Sequence, residues 1–182
     1  MQWDIKTSPE DESDLLDRAE RLAGWRLGEL AMLLGEPAPE SLARAKGWVG
    51  TLLERALGAQ DVHVPSPDFG DLGVELKTLP IDARGKPRES THICMVTCAE
   101  ECLDLTFKDS RLWSKLQRIL WIPVEADASI PVAERRIGRP ILWSPTDAQE
   151  AILRSDWEHN KEAIRDGFID EITAHHGEYL QI

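Results

Sequence analysis

Apolar residues in the first 57 positions recur every three or four places, which is the spacing of helices that bury one face. The first helix is expected to take Ser13 as its N-cap and to end at Gly24. A second, short helix covers LGELAMLL and ends at Gly35, and a third covers KGWVGTLLERALG and ends at Gly58. The pattern therefore predicts three helices before residue 59.

Between residue 58 and about residue 144 the pattern changes to short runs that alternate or are continuously apolar, which are typical of strands. The segments GVELKTLPI and STHICMVTC flank DARGKPRE, which is rich in turn-forming residues. Two strands on either side of a turn predict a long hairpin.

The rest of the chain alternates helix and strand signals. DSRLWSKLQ predicts a helix, and RILWIPVEA and RPILWSP predict two strands. Ser144 is expected to open a long helix, and the tail HGEYLQI to form a last strand. This order, without internal repeats, predicts one α/β (α+β) domain over residues 1–182.

Composition narrows the class of protein. With 182 residues, 42% of them hydrophobic, the chain can bury a substantial core and is not a disordered or disulfide-built chain. The formal net charge of -12 excludes a protein that coats nucleic acid indiscriminately, although acids and bases balance between residues 71 and 120. No apolar run approaches the roughly 20 residues of a membrane span, and the acidic N-terminus lacks a secretory signal. We expect a cytoplasmic monomer with no membrane contact.

Three cysteines, Cys94, Cys98 and Cys102, follow His92 and suggest a zinc site as one interpretation. A structural zinc site usually draws a second pair of ligands from elsewhere, and the sequence offers none. Residues four apart on a strand lie about 13 Å apart, too far for one ion. Reduced thiols that pack as small hydrophobes are the favoured interpretation.

The chemically informative stretch runs from Asp68 to Lys77. In a strand, Glu75 and Lys77 point to one face while Leu76 points to the other. Two carboxylates, Asp68 and Glu75, and the carbonyl of Leu76 would form an oxygen cage suited to Mg²⁺, with the Lys77 ammonium beside a bound water. The alternative is an ordinary ion pair on a solvated strand edge, and the spacing alone does not separate the two.

A second feature lies on the third predicted helix. Opposite its apolar face stand Gly47, Gly50, Thr51 and Gly58, with Glu54 as the one carboxylate. A side without bulky residues lets a ligand or another backbone approach Glu54, although tight helix packing would explain the glycines equally well. Lys46 and Lys115 are the nearest further cations by this interpretation.

Several longer strings resemble one family. WRLGELAMLLG, KGWVGTLLERALG, DFGDLGVELKTLPID, LWIPVE and RRIGRPILWSP are similar to segments of MutH, the strand-nicking endonuclease family of methyl-directed mismatch repair. The similarity runs from about residue 14 to the last residue and includes the tail HGEYLQI. It implies a restriction-endonuclease-like fold with a central mixed sheet flanked by helices.

The resemblance also implies an activity. Members use Mg²⁺ to hydrolyse a phosphodiester bond in double-stranded DNA, on the unmethylated strand of a hemimethylated GATC site, after activation by MutL. By the resemblance, Asp68, Glu75 and Lys77 take the places of the family's metal-binding and catalytic residues, Glu54 matches a further acidic active-site position, and Lys46 and Lys115 match basic positions beside it. We therefore expect Asp68, Glu75, Lys77, Glu54 and Lys115 to be catalytic, and Asp68, Glu75, Leu76 and Glu54 to bind the metal. The expected DNA contacts are Lys46, Arg84, Lys86, Arg135 and Arg136, although a solvated loop or a carboxylate partner would explain Arg135 and Arg136 equally well.

The resemblance leaves other functions open. Proteins of this family continue several tens of residues past the position of Ile182, with a basic segment that contacts GATC bases. A shortened chain is expected to lack that segment, and an alternative function is a module that binds MutL without cutting DNA. A GATC-cutting restriction endonuclease, which shares the active site and cuts both strands without a partner, is the other alternative.

Overall fold

A computed structural model of the chain describes residues 7–43, 45–59, 66–95, 104–171, 173 and 177–181. These residues form a three-stranded sheet and helices, so the predicted mixed α/β class is confirmed. The helices are α1 (Glu12–Leu22), α2 (Leu27–Leu33), α3 (Trp48–Leu57), α4 (Arg111–Leu116) and α5 (Asp147–Arg165), and the strands are β1 (Glu75–Ile81), β2 (Ile119–Glu125) and β3 (Ile141–Trp143).

The chain divides into two compact units. The first comprises residues 1–92 and 119–143 and holds α1 to α3 and the whole sheet, and the second comprises residues 93–118 and 144–182 and holds α4 and α5. Within the described residues, no helix is long and apolar enough to cross a membrane.

The first helix begins two residues earlier than the sequence indicated. The carboxylate of Asp11, not the hydroxyl of Ser13, accepts the hydrogen bond from the Asp14 amide and caps α1. An aspartate and a serine are about equally good caps, so sequence alone could not choose between them. The predicted ends hold, because Gly24, Gly35 and Gly58 all adopt the left-handed backbone that glycine favours.

The pairing of the three strands positions the side chains of β1. β1 pairs in parallel with β2, Glu75 opposite Ile119 and Ile81 opposite Glu125, and β2 pairs antiparallel with β3. One face packs on the core of the first unit: Leu76, Leu120, Ile122 and Val124 are buried there together with residues of α1, α2 and α3. Because side chains alternate along a strand, Glu75 and Lys77 lie on the opposite face from Leu76.

The predicted long hairpin is mostly wrong. After β1 the chain does turn, through hydrogen bonds from the Asp82 amide to the Lys86 carbonyl and from the Arg88 amide to the Pro80 carbonyl. Residues 90–95, however, form no strand, and the rest of STHICMVTC lies outside the described residues. β-Branched residues favour strands only when a neighbouring strand is present to pair with them.

In the second unit, α5 starts at Asp147 rather than just after Ser144. Thr146 caps it in a reciprocal arrangement with Gln149, in which the Thr146 hydroxyl accepts from the Gln149 amide and the Gln149 side chain accepts from the Thr146 amide. Residues 177–181 are not a strand, so the predicted final strand is wrong over these positions.

Candidate active site

The site begins with a tight loop that brings Asp68 back beside β1. Phe69 and Val74 form an antiparallel bridge, with the Phe69 amide donating to the Val74 carbonyl at 2.9 Å. Between them a 3-10 turn (Gly70–Leu72) ends at Gly73, whose φ of 66° is a left-handed conformation that favours glycine. The backbone therefore reverses between Phe69 and Val74 and sets Asp68 next to the start of the strand.

The Asp68 carboxylate is fixed to β1 by a hydrogen bond. Its Oδ2 accepts from the Leu76 amide at 2.8 Å, so the side chain reaches the residue that follows Glu75. Asp68 therefore lies at the end of β1 where Glu75 and Leu76 begin the strand.

Glu75 and Lys77 form a buried ion pair. The Lys77 Nζ lies 2.6 Å from Glu75 Oε1, and only 1% of the Glu75 surface is exposed. The Lys77 side chain is 18% exposed, so the pair opens to solvent only at its cationic end. This is not the solvated strand edge of the alternative interpretation, because a carboxylate is almost never buried so completely unless it is paired or binds a ligand.

Glu54 lies on α3, the helix that packs against β1. A Cβ atom added at Gly50 would stand 3.6 Å from Glu54 Oε1, so the carboxylate bends back over this glycine, and the predicted bare helix side is present there. At Gly58 it is the backbone of Thr7 that packs closely against the glycine, since a Cβ atom there would overlap the Thr7 carbonyl.

Within the described residues, no three His, Cys, Asp or Glu side chains group closely enough to hold a metal. Glu54 is thus not brought together with Asp68 and Glu75 as a three-carboxylate set. The oxygen donors at the start of β1 are two carboxylates and a carbonyl, all of them hard ligands of the kind that Mg²⁺ prefers. In the part of the chain that the structure describes, His92 and Cys94 belong to no such group, and Cys98 and Cys102 lie outside it.

The sequence is similar to those of known proteins. The model of the family described as DNA mismatch repair enzyme MutH matches residues 57–156. The DNA mismatch repair protein MutH of Escherichia coli strain K12 is 49% identical over 178 residues, which cover 98% of this chain and 77% of that relative. The relative from Escherichia coli O1:K1 is 50% identical over the same lengths. The chain belongs to the MutH family.

Membership confirms the expected class of fold and function. The fold is restriction-endonuclease-like, and the protein is a mismatch-repair endonuclease, a hydrolase of the kind that nicks hemimethylated GATC. The region of this chain that the family model matches, residues 57–156, includes Asp68, Glu75 and Lys77. Lys46 and Glu54 precede that region and lie within the span of similarity to the Escherichia coli relatives.

Two further lysines were predicted for the site. Lys46 is exposed in the turn that leads into Gly47 and α3. Lys115 lies in the last turn of α4, in the second unit, and only 8% of its surface is exposed. Lysines are rarely buried unless they are paired or functional, so the burial of Lys115 is consistent with a functional role.

Arg84 and Lys86 lie far along the strand from the carboxylates. Both sit in the turn after Ile81, which is six residues beyond Glu75, or about 20 Å at the usual rise of a strand. The Asp82 carboxylate accepts from their two backbone amides, at 2.8 Å and 2.9 Å, and fixes the turn. Their side chains are exposed.

Arg135 and Arg136 are near that same distant end of the parallel pair. The Arg136 amide donates to Glu125 at the end of β2, and its guanidinium donates to the Gly24 carbonyl at 2.9 Å. Arg135 donates from Nε to the Ile130 carbonyl at 3.2 Å. The structure therefore gives both arginines contacts within the fold and does not bring them to Glu75.

One polar cluster in the second unit was not expected from sequence. Asp156 of α5 accepts hydrogen bonds from the amides of Glu178, Tyr179 and Leu180, at 3.1, 2.7 and 3.0 Å. Burial raises the pKa of Asp156, but the three amides lower it by more, so the pKa lies below its ordinary value. An acid sharing a helix face with buried Leu153 was the signal that could have revealed it.

Proposed function

We propose that Asp68, Glu75 and Lys77 form the hydrolytic centre with which this chain nicks the unmethylated strand of a hemimethylated GATC site, using Mg²⁺. The observation that carries the proposal is the buried Glu75 carboxylate, held at 2.6 Å by Lys77 and next to the residue that Asp68 binds. Burying a charged pair costs free energy of desolvation, and an active site is one reason for a fold to retain it.

The donor set suits Mg²⁺. The ion usually keeps several waters and takes one or two protein carboxylates together with substrate phosphate oxygens. Asp68, Glu75 and the Leu76 carbonyl would hold it, and Glu54 on α3 would contribute through one of the retained waters. When bound, Mg²⁺ supplies Lewis acidity to a phosphoryl oxygen and lowers the pKa of a water.

Hydrolysis joins the oxygen of a water to phosphorus, breaks one phosphorus–oxygen ester bond of the DNA strand, and leaves the departing sugar oxygen protonated. Lys77 is the residue of this chain that we place beside the attacking water, because Glu75 holds its ammonium at a fixed point. An ammonium fixed in advance stabilises developing negative charge without reorganisation. We propose that Lys115 and Lys46 stabilise the negative charge that develops on the phosphate.

The proposed substrate is duplex DNA, and the proposed activating partner is MutL. Support comes from the similarity to proteins named DNA mismatch repair protein MutH. Exposed Lys46, Arg84 and Lys86 and the segment of Arg135 and Arg136 are proposed contacts to the phosphate backbone. We place the protein in the cytoplasm as a monomer, where its substrate DNA is found.

The test is a nicking assay with duplexes that carry one GATC site unmethylated, hemimethylated or methylated on both strands. With Mg²⁺ and MutL, the wild-type chain is expected to cut the unmethylated strands and to spare the third duplex. A Glu75→Ala, Lys77→Ala double variant should lose cutting while circular dichroism shows retained structure.

Three outcomes would contradict the proposal. Retained cutting by the double variant would refute the residue assignment. Cutting of both strands without MutL would indicate the restriction-endonuclease alternative. Binding of MutL without binding or cutting of DNA would indicate the binding-module alternative.

A further inference from the structure

The face of the sheet that carries the ion pair also carries an aromatic side chain in register with it. Lys77 pairs with Trp121 across the parallel strands, and Trp121 pairs with Ile141 across the antiparallel ones. Paired residues of neighbouring strands point to the same face and stand about 4.8 Å apart. Lys77, Trp121 and Ile141 therefore form one row across the sheet, on the face away from the core.

Exposure rises from the site toward this row. The preceding row begins with Glu75 and Ile119, which are 1% and 0% exposed. In the next row Lys77 and Trp121 are half-buried, and Ile141 at the sheet edge is 54% exposed. On the core face, by contrast, the neighbours of Trp121 along β2, Leu120 and Ile122, are fully buried. The large indole thus stands on the partly open side of the ion pair.

We propose that Trp121 is a positioning residue for Lys77. The inference rests on the proposed function, in which the Lys77 ammonium must stay on Glu75 while substrate binds. The lysine stem has four rotatable bonds, so holding its ammonium in one place costs conformational entropy unless a neighbour already restricts the stem. A rigid aromatic neighbour at cross-strand distance restricts the stem and covers its methylene groups, so the ammonium turns along the strand to Glu75 Oε1.

The contrast with other lysines of the chain supports this geometry. Lys108 and Lys161 place their Nζ atoms over tryptophan rings, at 3.7 Å from Trp113 and 4.4 Å from Trp157. Lys77 has an indole directly opposite, yet its ammonium is engaged by the carboxylate. Trp121 then acts on the stem rather than as a cation–π partner, which is the arrangement needed to aim the charge.

The test measures single-turnover nicking with Mg²⁺ and MutL, and DNA affinity separately. Trp121→Ala is expected to slow nicking about tenfold or more, because small displacements of a reacting group are costly, with DNA affinity unchanged. Trp121→Phe, which keeps a flat ring, should restore most of the rate. Trp25→Phe, which alters a tryptophan packed on the core, is the matched control and should leave the rate unchanged.

A double-mutant cycle separates positioning from general damage to the fold. In a Lys77→Ala background, adding Trp121→Ala should cause no further loss, because the group that Trp121 positions is already gone. An equal loss in both backgrounds would overturn the inference, as would a Trp121→Ala rate within twofold of wild type. If Trp121→Ala does not fold, the same cycle is run with Trp121→Leu, with the same outcomes. A wild-type rate in Lys77→Ala alone would instead refute the proposed function.

Discussion

At the scale of single residues, the ion pair of Glu75 and Lys77 is both the proposed chemistry and a cost to the fold. The carboxylate is 1% exposed and its partner lies 2.6 Å away. Removing one partner of a buried pair leaves a charge without compensation, which destabilises a protein far more than losing the same pair at the surface. Stability measurements can therefore detect the burial independently of activity.

The variant Lys77→Met is expected to reduce the free energy of unfolding by up to about 3 to 5 kcal/mol, since it strands the Glu75 carboxylate. The double variant Glu75→Gln, Lys77→Met should be closer to wild type, because the buried charge is also removed. Urea unfolding at neutral pH measures both. Arg165→Met breaks the exposed contact to Asp104 and is the control, expected to cost less than about 1 kcal/mol. Similar losses in the Lys77 single and double variants would contradict this account.

Asp156 predicts a pH dependence of known sign. Burial raises its pKa, but the amides of residues 178–180 lower it further, so the folded pKa lies below the unfolded one. The stability it contributes is present above the unfolded pKa, about 3.9, and is lost as pH falls through the folded pKa. Asp156→Asn should cost about 2 kcal/mol at pH 7 and flatten this acid dependence.

The measurement for Asp156 is hydrogen exchange at the amides of Glu178, Tyr179 and Leu180. These amides should lose protection in Asp156→Asn at neutral pH, and in the wild type only when the pH is lowered below about 4. Glu158→Gln changes an exposed acid on the same helix and should leave protection intact. Unchanged protection in Asp156→Asn would show that the carboxylate does not hold the segment.

At the scale of elements, glycines end the helices and in one case make room for another backbone. Gly58 follows α3 with a φ of 79°, and the Thr7 carbonyl lies against it, held in turn by the Arg18 guanidinium at 2.6 Å. Gly24 has a similar φ of 87° after α1, but among the described residues no atom lies within 4 Å of the point where a Cβ would stand. Substitution at Gly24 therefore tests backbone strain alone, whereas substitution at Gly58 tests strain and packing together.

Gly24→Ala is expected to cost about 1 to 2 kcal/mol, which is the strain of a left-handed alanine. Gly58→Ala should cost clearly more, because the new methyl group also overlaps the Thr7 carbonyl. Thermal unfolding of both variants gives the comparison. Equal losses would mean that the segment at Thr7 moves away without cost and does not pack on α3.

Sequence predicted the elements better than their boundaries or partners. The cores of α1 to α5 and of β1, β2 and β3 follow from apolar spacing, because burial of one face is a strong local signal. The caps at Asp11 and Thr146 were missed, since neighbouring Ser13 and Ser144 carry the same capping chemistry. The strand predictions that were wrong, at residues 90–95 and 177–181, depended on pairing with distant segments that local sequence does not encode.

The candidate site was predictable in part for the same reason. Asp68, Glu75 and Lys77 lie within ten residues, so a strand and its preceding loop suffice to bring them together. The distance from Glu75 to Arg135 and Arg136 depends on the parallel pairing of β1 with β2, which no local pattern specifies. The distance to Arg84 and Lys86 follows from the length of β1 alone. The register of Trp121 with Lys77 could be read only from the assembled sheet.

At the scale of the whole molecule, a net charge of -12 makes DNA binding depend on a few well-placed cations. Each phosphate contact releases counterions, so affinity falls with salt at a slope set by the number of contacts. Lys46→Ala is expected to lower the magnitude of that slope by about one if Lys46 contacts a phosphate. Lys161→Ala is the control. In the wild type the Lys161 ammonium lies over Trp157 and donates to the Leu105 carbonyl, so its loss should leave the slope of affinity against salt unchanged. Fluorescence anisotropy over a range of salt concentrations measures both, and an unchanged slope in Lys46→Ala would remove it from the proposed interface.

In the proposed hydrolytic centre, Asp68, Glu75 and the Leu76 carbonyl hold a divalent ion at the start of β1. Paramagnetic Mn²⁺, added in place of Mg²⁺, broadens the NMR signals of nearby nuclei and locates the ion without any need for activity. The backbone amides of Asp68, Leu76 and Lys77 are expected to broaden first in the wild type, and to stay sharp in an Asp68→Asn, Glu75→Gln variant. Broadening centred elsewhere, or unchanged in that variant, would show that the ion does not bind at Asp68 and Glu75.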